Sequence, residues 1–272
     1  MVFFMFKNIF DTHTHSEFSF DGNHSCESLC ESAIAKGAVG IAITDHCDID
    51  GKDFDYYDFA LKQYAAVEKV KAEFSGRIDV LAGIELGQGI YEREKSDSIL
   101  QKNNYDIVIG SIHNLKNMED FYFLDYRKYD IKSLLTDYFN AEYELVKWGR
   151  FDTLAHLTYP LRYIVAREKI SVDISEYYDI IDMIFKELIK TDKALELNVS
   201  GLFMDMKDTL PPKSLIKRYH DMGGKYVTVG SDSHFAEKVC NGIDTGYKIL
   251  AECGYDKFTI FKNRQPVLMN IE

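Results

Sequence analysis

The residues of this sequence whose types and spacing are best suited to chemistry are histidines and carboxylates that follow short apolar runs. The chain has eight His residues. Six of them, with one Glu and one Asp, stand at the carboxyl end of an apolar run: His13, His15, His46, Glu85, His113, His156, Asp232 and His234. Neutral imidazole and carboxylate are the usual protein ligands of Zn, Mn and Fe. Side chains of these types in this placement predict a metal site.

Two of the motifs place a pair of candidate ligands on one strand. His13-x-His15 and Asp232-x-His234 each put two side chains on the same side of an extended backbone. A single strand-end His is more often a hydrogen-bonded core residue, and Glu85 alone would be a solvated loop carboxylate. A cluster of all of them would be costly in repulsion and desolvation unless cations neutralise it. At three to four ligands per metal, the set predicts two metals, or three if Asp21 also serves.

The elements that must position these residues alternate between short apolar runs and longer amphipathic segments. The predicted strands are residues 9–10, 39–43, 78–84, 106–112, 151–155, 194–199 and 226–229. The predicted helices are residues 26–36, 55–74, 131–147, 173–190, 213–222 and 244–253. Most of these helices are followed by Gly, which is the expected stop signal. His24 and His220 fall within or beside helices, and we interpret both as structural.

The alternation predicts parallel strands joined by right-handed crossovers. No linker, charge block or repeat divides the chain. We therefore expect a single α/β domain over residues 1–272, a closed or nearly closed barrel of seven units, with an open doubly wound sheet as the alternative. In a parallel barrel all carboxyl ends open onto one face, which carries the active site. Ligands that are 30 to 70 residues apart in sequence would meet there.

Composition limits the function classes. With 32 basic and 44 acidic residues, the net charge is −12, which argues against a general nucleic-acid binder. An odd count of five Cys indicates free thiols in a reducing compartment. The apolar opening at residues 1–10 is interrupted by Lys7 and resembles neither a signal peptide nor a membrane span. We expect a soluble, cytoplasmic protein that acts on a small molecule and does not bind membranes.

The order of these motifs resembles the polymerase-and-histidinol-phosphatase (PHP) class of metallohydrolases. The resemblance rests on His13-Thr14-His15, Thr44-Asp45-His46, the Glu of Gly-Ile-Glu85, Ser-Ile-His113, Ala-His156 and Ser-Asp232-Ser-His234. The context at residues 13–22, 111–114 and 155–163 is similar to the monofunctional histidinol-phosphatase family. The resemblance implies a distorted (β/α)7 TIM-like barrel that holds two to three divalent ions of Zn, Mn or Fe.

The resemblance also implies how the ligands are shared among three metals. The first would take His13, His15, Glu85 and Asp232; the second would share Glu85 and take His113 and His156; the third would take Asp21, His46 and His234. Some relatives have a His at the position of Asp21. An oxygen ligand is chemically adequate there. The alternative is that Asp21 binds no metal and is an ordinary carboxylate that precedes the helix at 26–36.

The expected reaction is hydrolysis of L-histidinol phosphate to L-histidinol and phosphate in histidine biosynthesis. A hydroxide bridging two metals would attack phosphorus, with Glu85, His113 and Asp232 carrying catalysis. The resemblance favours Arg162 as a phosphate ligand, and Arg162 packed over a barrel helix is the alternative. Asp45 would orient an imidazole or cap a loop. Glu17, Glu119 and Asp120 are candidates for binding the cationic end of the substrate.

Two other functions are compatible with the same residues. One is a hydrolase of the same class that acts on another small phosphate ester or on a nucleotide phosphodiester. The other is a module that holds metals without catalysis.

Overall fold

The computed structural model describes residues 6–49 and 54–272, so the first five residues of the apolar opening lie outside it. The strands are β1 Phe10–Thr14, β2 Gly40–Ile43, β3 His46–Asp48, β4 Asp79–Gly87, β5 Ile107–Ser111, β6 Thr153–Leu154, β7 Ala194–Asn198, β8 Val227–Gly230, β9 Lys257–Lys262 and β10 Gln265–Asn270. The helices are α1 Cys26–Lys36, α2 Tyr56–Glu73, α3 Arg93–Leu100, α4 Ile131–Trp148, α5 Tyr178–Lys190, α6 Lys213–Asp221 and α7 Ile243–Cys253.

Seven of these strands form a nearly closed parallel barrel. Neighbours run in the order β1-β2-β4-β5-β6-β7-β8, and the short β3 pairs with the end of β4 beyond β2. Between β8 and β1 the contact is a single bridge, Thr14 to Ser233. Two backbone hydrogen bonds add to it, His15 N to Ser233 O at 2.9 Å and Asp232 N to His13 O at 2.9 Å. The predicted seven-unit barrel is confirmed, and the open doubly wound sheet is wrong.

Burial explains why these strands contain almost continuous apolar runs. Every residue of β1, β2, β5, β7 and β8 is buried, because helices cover the outside of the barrel and side chains fill its interior. Helix starts are set by local chemistry: the side chains of Ser25, Asp55 and Asp130 accept hydrogen bonds from backbone N–H groups in the first turns of α1, α2 and α4.

Some elements differ from the predicted ones. The first predicted strand corresponds to β1 and extends to Thr14, and the third predicted strand corresponds to β4 and extends to Gly87. His13 and Glu85 therefore lie inside strands. The second predicted helix ends at Glu73, and the fifth barrel strand is only Thr153–Leu154. Helix α3 was not predicted, because its mostly polar sequence has no clear apolar period.

The antiparallel hairpin of β9 and β10 was not predicted either. Its turn closes the amino-terminal end of the barrel. The N–H of Asn263 donates to the Asp106 carboxylate, and the Arg264 side chain pairs with Asp152. The hairpin therefore lies at the opposite end from the predicted metal ligands. None of the described helices is long and apolar enough to cross a lipid bilayer.

Candidate metal centre

The carboxyl end of the barrel gathers all nine predicted ligands. His13 lies in β1 with His15 just after it; His46 begins β3 and Glu85 lies in β4. The others follow β5, β6 and β8: His113, His156, Asp232 and His234. Asp21 lies between β1 and α1. All except Asp21 have side chains at most one-fifth exposed. The parallel topology therefore brings together residues far apart in sequence, as predicted.

Glu85 lies at the centre of this cluster, and its two oxygens face different imidazoles. Oε2 lies 2.8 Å from Nδ1 of His46, 3.4 Å from Nε2 of His13 and 3.6 Å from Nε2 of His15. Oε1 lies 3.2 Å from Nε2 of His113 and 3.1 Å from Nε2 of His156. The two halves of one carboxylate thus join two ligand groups, which is the geometry of a bridging ligand.

The remaining carboxylates complete the groups. Oδ1 of Asp232 lies 3.3 Å from Nε2 of His15 and 3.8 Å from Nε2 of His13. Oδ1 of Asp21 lies 3.2 Å from Nε2 of His234 and 3.8 Å from Nε2 of His46. Asp21 is the most open of the set, with its side chain 46% exposed. A third group, at the rim of the cluster, therefore consists of Asp21, His46 and His234.

The spacing and the unpaired atoms of the cluster suit bound cations. Nε2 of His113 and of His156 are 3.3 Å apart, as are Nε2 of His46 and of His234. Bonds of about 2.0–2.1 Å to one tetrahedral ion place two ligand atoms about 3.3 Å apart. Within the described part of the chain, five buried atoms of the cluster lack a hydrogen-bond partner: His13 Nε2, His15 Nε2, His46 Nδ1, Glu85 Oε2 and His156 Nδ1. Buried polar atoms are costly without partners, and a cation supplies one. The cluster is therefore suited to hold divalent metal ions.

The electrostatics of the ligands without metal lead to the same conclusion. Burial alone would lower the pKa of His13, but the carboxylates of Glu196, Glu85 and Asp232 outweigh it, and the pKa is raised well above its usual value. Burial likewise opposes protonation of His46, yet Glu85 raises its pKa to about 9. For Glu85 itself, burial is outweighed by His46, His13 and His113, and its pKa is lowered well below its usual value. Positive charge is thus favoured beside Glu85 at His13 and His46, whereas burial lowers the pKa of His15 and of His156 and keeps those rings neutral, the form in which an imidazole binds a metal.

Two carboxylates beside the ligands, the buried Glu196 and the partly exposed Asp48, were not predicted from the sequence. Oε1 of Glu196 in β7 lies 2.7 Å from Nδ1 of His13, and Oδ1 of Asp48 lies 3.2 Å from Nδ1 of His113. A carboxylate that accepts from one ring nitrogen leaves the other free for a metal. Glu196-x-Asn198, two polar residues at alternate positions in an apolar strand, repeats the pattern of His13-x-His15 and would have been a usable signal.

Asp45 was expected to orient an imidazole or to cap a loop, and its contacts include both a loop N–H, that of Ser16, and a link to an imidazole. Its carboxylate accepts hydrogen bonds from Ser16, Ser19 and Gln63. The hydroxyl of Ser19 donates to Asp45 at 2.9 Å, which leaves its oxygen to accept from Nδ1 of His15 at 3.0 Å. Asp45 therefore acts on His15 through Ser19, since its own oxygens are occupied by the surrounding hydroxyl and amide groups.

A cavity of about 430 Å³ opens above the metal cluster. Arg162 and Asp120 line it, with the exposed aromatic residues Phe20, Tyr122 and Phe123 at its mouth. Nη2 of Arg162 donates to Ser200 Oγ at 2.8 Å and lies 3.4 Å from Asp232 Oδ2. Arg162 starts a π-helical segment, Arg162–Arg167, and its side chain reaches the ligands instead of covering a helix.

Three acidic residues were candidates for the cationic end of a substrate, and the structure separates them. Asp120 lies in the cavity and accepts a hydrogen bond from Tyr159 OH at 3.1 Å. Glu17 and Glu119 are exposed and are not among the lining residues. His24 and His220 also lie outside the cluster: the ring of His24 accepts from Ala236 N at 3.3 Å, and His220 packs edge-on against Tyr255.

Comparisons with known proteins agree with this arrangement. The model of the PHP domain matches residues 11–200. A probable histidinol-phosphatase of Clostridium acetobutylicum is 30% identical over 90% of this chain and 94% of that protein. A histidinol-phosphatase of Lactococcus lactis is 26% identical over 92% of this chain and 93% of that protein.

The fold has a close match among solved structures. Histidinol phosphate phosphatase from Lactococcus lactis, complexed with Zn, L-histidinol and phosphate, aligns with a TM-score of 0.81 at 23% identity, over 96% of this chain and 99% of that one. The likeness in fold thus covers nearly all of this chain. With a family model matched over most of its length and a relative 30% identical along nearly all of it, this chain belongs to the PHP family, in its histidinol-phosphatase branch.

Proposed function

We propose that this protein is a metal-dependent phosphomonoesterase that hydrolyses L-histidinol phosphate to L-histidinol and inorganic phosphate, a step of histidine biosynthesis. The observation that carries the proposal is Glu85, whose two oxygens face two separate groups of imidazoles beneath a cavity that His113 and His156 line. The relatives named histidinol-phosphatase support the choice of substrate.

Three metals of Zn, Mn or Fe suit the three ligand groups. His13, His15, Glu85 and Asp232 would hold the first; Glu85, His113 and His156 the second; Asp21, His46 and His234 the third. When bound, such ions supply a water of lowered pKa as nucleophile and offset the charge on the phosphoryl oxygens. Glu85, His113 and Asp232 are the residues through which this chain would carry that chemistry.

Arg162 would bind the phosphoryl group. Its guanidinium is buried beside Asp232 and Ser200, and it also lines the cavity. Its Nε atom has no hydrogen-bond partner within the described residues. A planar guanidinium can bind two phosphate oxygens at once, and removal from water strengthens that interaction. Arg162 would thus hold the substrate over the metals.

Asp120 and the aromatic mouth of the cavity would bind the departing alcohol. Histidinol carries an ammonium group and an imidazole, so a carboxylate beside exposed rings suits both ends of it. Tyr159 OH donates to Asp120 and holds its carboxylate in the cavity. Phe20 is 80% exposed, and its ring stacks on His46 with centroids 5.3 Å apart. A second flat ring could stack beside it.

Further features support a cytoplasmic compartment and a small-molecule substrate. All five cysteines are free and buried, which suits the reducing cytoplasm. A net charge of −12 and a cavity of about 430 Å³ favour a small substrate and weigh against nucleic acid.

One observation favours a second candidate, a small phosphodiester. Another cavity, of about 570 Å³, lies against Asp21, Asp232 and His234 on the other side of the ligands. Lys238 and the exposed Phe203 line it. A diester would place one group in each cavity, whereas a monoester needs only one.

The test is phosphate release by the purified protein from L-histidinol phosphate, compared with cleavage of bis(p-nitrophenyl) phosphate. We expect turnover of the monoester, its loss in His113→Ala and its retention in His220→Ala, which changes a histidine outside the cluster. Turnover of the diester alone would replace the proposal with the second candidate. An equally active His113→Ala variant would exclude the ligand set.

A further inference from the structure

Strand β7 is the barrel strand that provides none of the nine predicted ligands, yet it carries two buried polar side chains that face the metal centre. Glu196 and Asn198 have no solvent exposure. They are two residues apart, so both point to the same side of the strand. The neighbouring strands β6 and β8 precede His156 and Asp232.

Glu196 contacts ligands from both sides of its strand. Its Oε1 accepts from Nδ1 of His13 at 2.7 Å, and its Oε2 accepts from the backbone N–H of His156 at 2.8 Å. Nδ2 of Asn198 donates to the same Oε2 at 3.2 Å and to Oδ2 of Asp232 at 3.3 Å. One buried carboxylate is thus connected to three predicted ligands.

Two of those ligands have an unusual backbone. His156 and Asp232 are non-glycine residues with positive φ, 22° and 53°. Such conformations persist where the surrounding contacts hold them, and they are common at functional sites. The hydrogen bonds from His156 N to Glu196 and from Asn198 to Asp232 are contacts of this kind.

We propose that Glu196 is a positioning residue for the metal centre, which holds His13 and His156 in place for two different metals and, through Asn198, also Asp232. With Nδ1–H of His13 donated to Glu196, Nε2 faces Glu85 and Asp232 as a free ligand atom. Asn198 extends the effect, because its Oδ1 accepts from Ser200 Oγ, the atom that receives the hydrogen bond of Arg162. The inference rests on the ligand set proposed above and is independent of the substrate.

The test measures metal binding, not turnover. Glu196→Ala and Glu196→Gln are compared with the parent for Zn²⁺ affinity, by competition with a chelator, and for the visible absorption of bound Co²⁺. We expect Glu196→Ala to bind Zn²⁺ about 10- to 100-fold more weakly, with an altered Co²⁺ spectrum. Glu196→Gln should lose less, because its amide oxygen can still accept from His13 while its NH₂ group opposes the N–H of His156.

Asp152→Asn is the matched control, since Asp152 is a buried carboxylate at the other end of the barrel that accepts from Val108 N. It should lower stability and leave Zn²⁺ affinity unchanged. Parent-like affinity and spectrum in both Glu196 variants would overturn the inference. An equal loss of affinity in Asp152→Asn would also overturn it, because the effect would then reflect general destabilisation. Neither readout uses phosphate release, so a wrong substrate would leave the result unaffected.

Discussion

Gly230 in β8 passes so close to His13 in β1 that a Cβ atom on Gly230 would overlap the Cβ of His13. The same atom would lie 2.5 Å from Oε1 of Glu196, the oxygen that accepts from His13. β8 and β1 meet at the seam of the barrel, where the bridge from Thr14 to Ser233 and the hydrogen bond from Thr12 Oγ1 to Val229 O join them. The absence of a side chain at residue 230 therefore lets the barrel close around the His13–Glu196 pair.

Replacing Gly230 with Ala should displace that pair. We expect Zn²⁺ affinity to fall about 10-fold or more, because His13 would lose its orientation, and stability to fall by about 1–3 kcal/mol from overpacking. Gly224→Ala is the control: its Cβ would press on the Tyr219 ring, away from the metal ligands. Gly224→Ala should lower the free energy of unfolding by about as much as Gly230→Ala and leave Zn²⁺ affinity unchanged. Chelator competition and urea unfolding measure both, and a Gly230→Ala variant with parent-like metal affinity would contradict the explanation.

Arg162→Ala should weaken substrate binding. Loss of charge-assisted hydrogen bonds to phosphate should raise KM for L-histidinol phosphate, and the inhibition constant of inorganic phosphate, by about 10- to 100-fold. Arg162→Lys should have values of both constants between those of the parent and of Arg162→Ala, since lysine keeps the positive charge but lacks the planar guanidinium. Arg150→Ala removes an exposed arginine paired with Asp97 and should change neither constant. An unchanged KM in Arg162→Ala would remove Arg162 from the phosphate site.

Asp120→Asn should alter selectivity between substrates. We expect kcat/KM for L-histidinol phosphate to fall about 10-fold or more, because a charged hydrogen-bond partner of the ammonium is lost. The value for p-nitrophenyl phosphate, which has no ammonium group, should stay the same. Glu119→Gln changes the exposed neighbour and should affect neither substrate. Equal losses on both substrates would assign Asp120 a role in the metal centre and not in recognition of the alcohol.

Glu142 in α4 predicts a pH dependence of stability. Burial raises its pKa to about 8. The folded state then binds more protons than the unfolded state between about pH 4.5 and pH 8, so Glu142 makes stability fall as pH rises through that window. Glu142→Gln should become more stable relative to the parent over the same window, by up to roughly 4–5 kcal/mol.

Urea unfolding of the parent and of Glu142→Gln from about pH 5 to about pH 9 measures this difference. Asp137→Asn, an exposed change on the same helix, should give a difference within about 0.5 kcal/mol at every pH. A constant difference between Glu142→Gln and the parent would show that the Glu142 carboxyl is not held neutral.

The ligand cluster could be predicted from the sequence because barrel topology converts strand order into position. His113 and His156 are 43 residues apart, yet both follow parallel strands that are neighbours in the barrel, so their meeting is a consequence of the fold. The motif order specified the residues, and the apolar runs specified the strands. No knowledge of side-chain contacts was needed for this step.

The residues that orient the ligands could not be found in the same way. The alternation of Glu196 and Asn198 indicates a polar side of β7, but nothing in the sequence indicates that Glu196 meets His13, which is 183 residues away. The hairpin of β9 and β10 was not predicted either. It covers the amino-terminal end of the barrel, and that end exists as a surface to be covered only once the barrel has closed. Asp120 and its neighbour Glu119 are equivalent candidates in the sequence, and only the position of the cavity shows which of the two carboxylates faces it.

The most direct test of the central claim is a metal titration of chelator-stripped protein, followed by release of phosphate from L-histidinol phosphate. We expect the stripped protein to be inactive and activity to return as Zn²⁺, Mn²⁺ or Fe²⁺ is added, with His113→Ala remaining inactive at every metal concentration. Hydrolysis at the parent rate without metal, or no phosphate release at any metal concentration, would contradict the account.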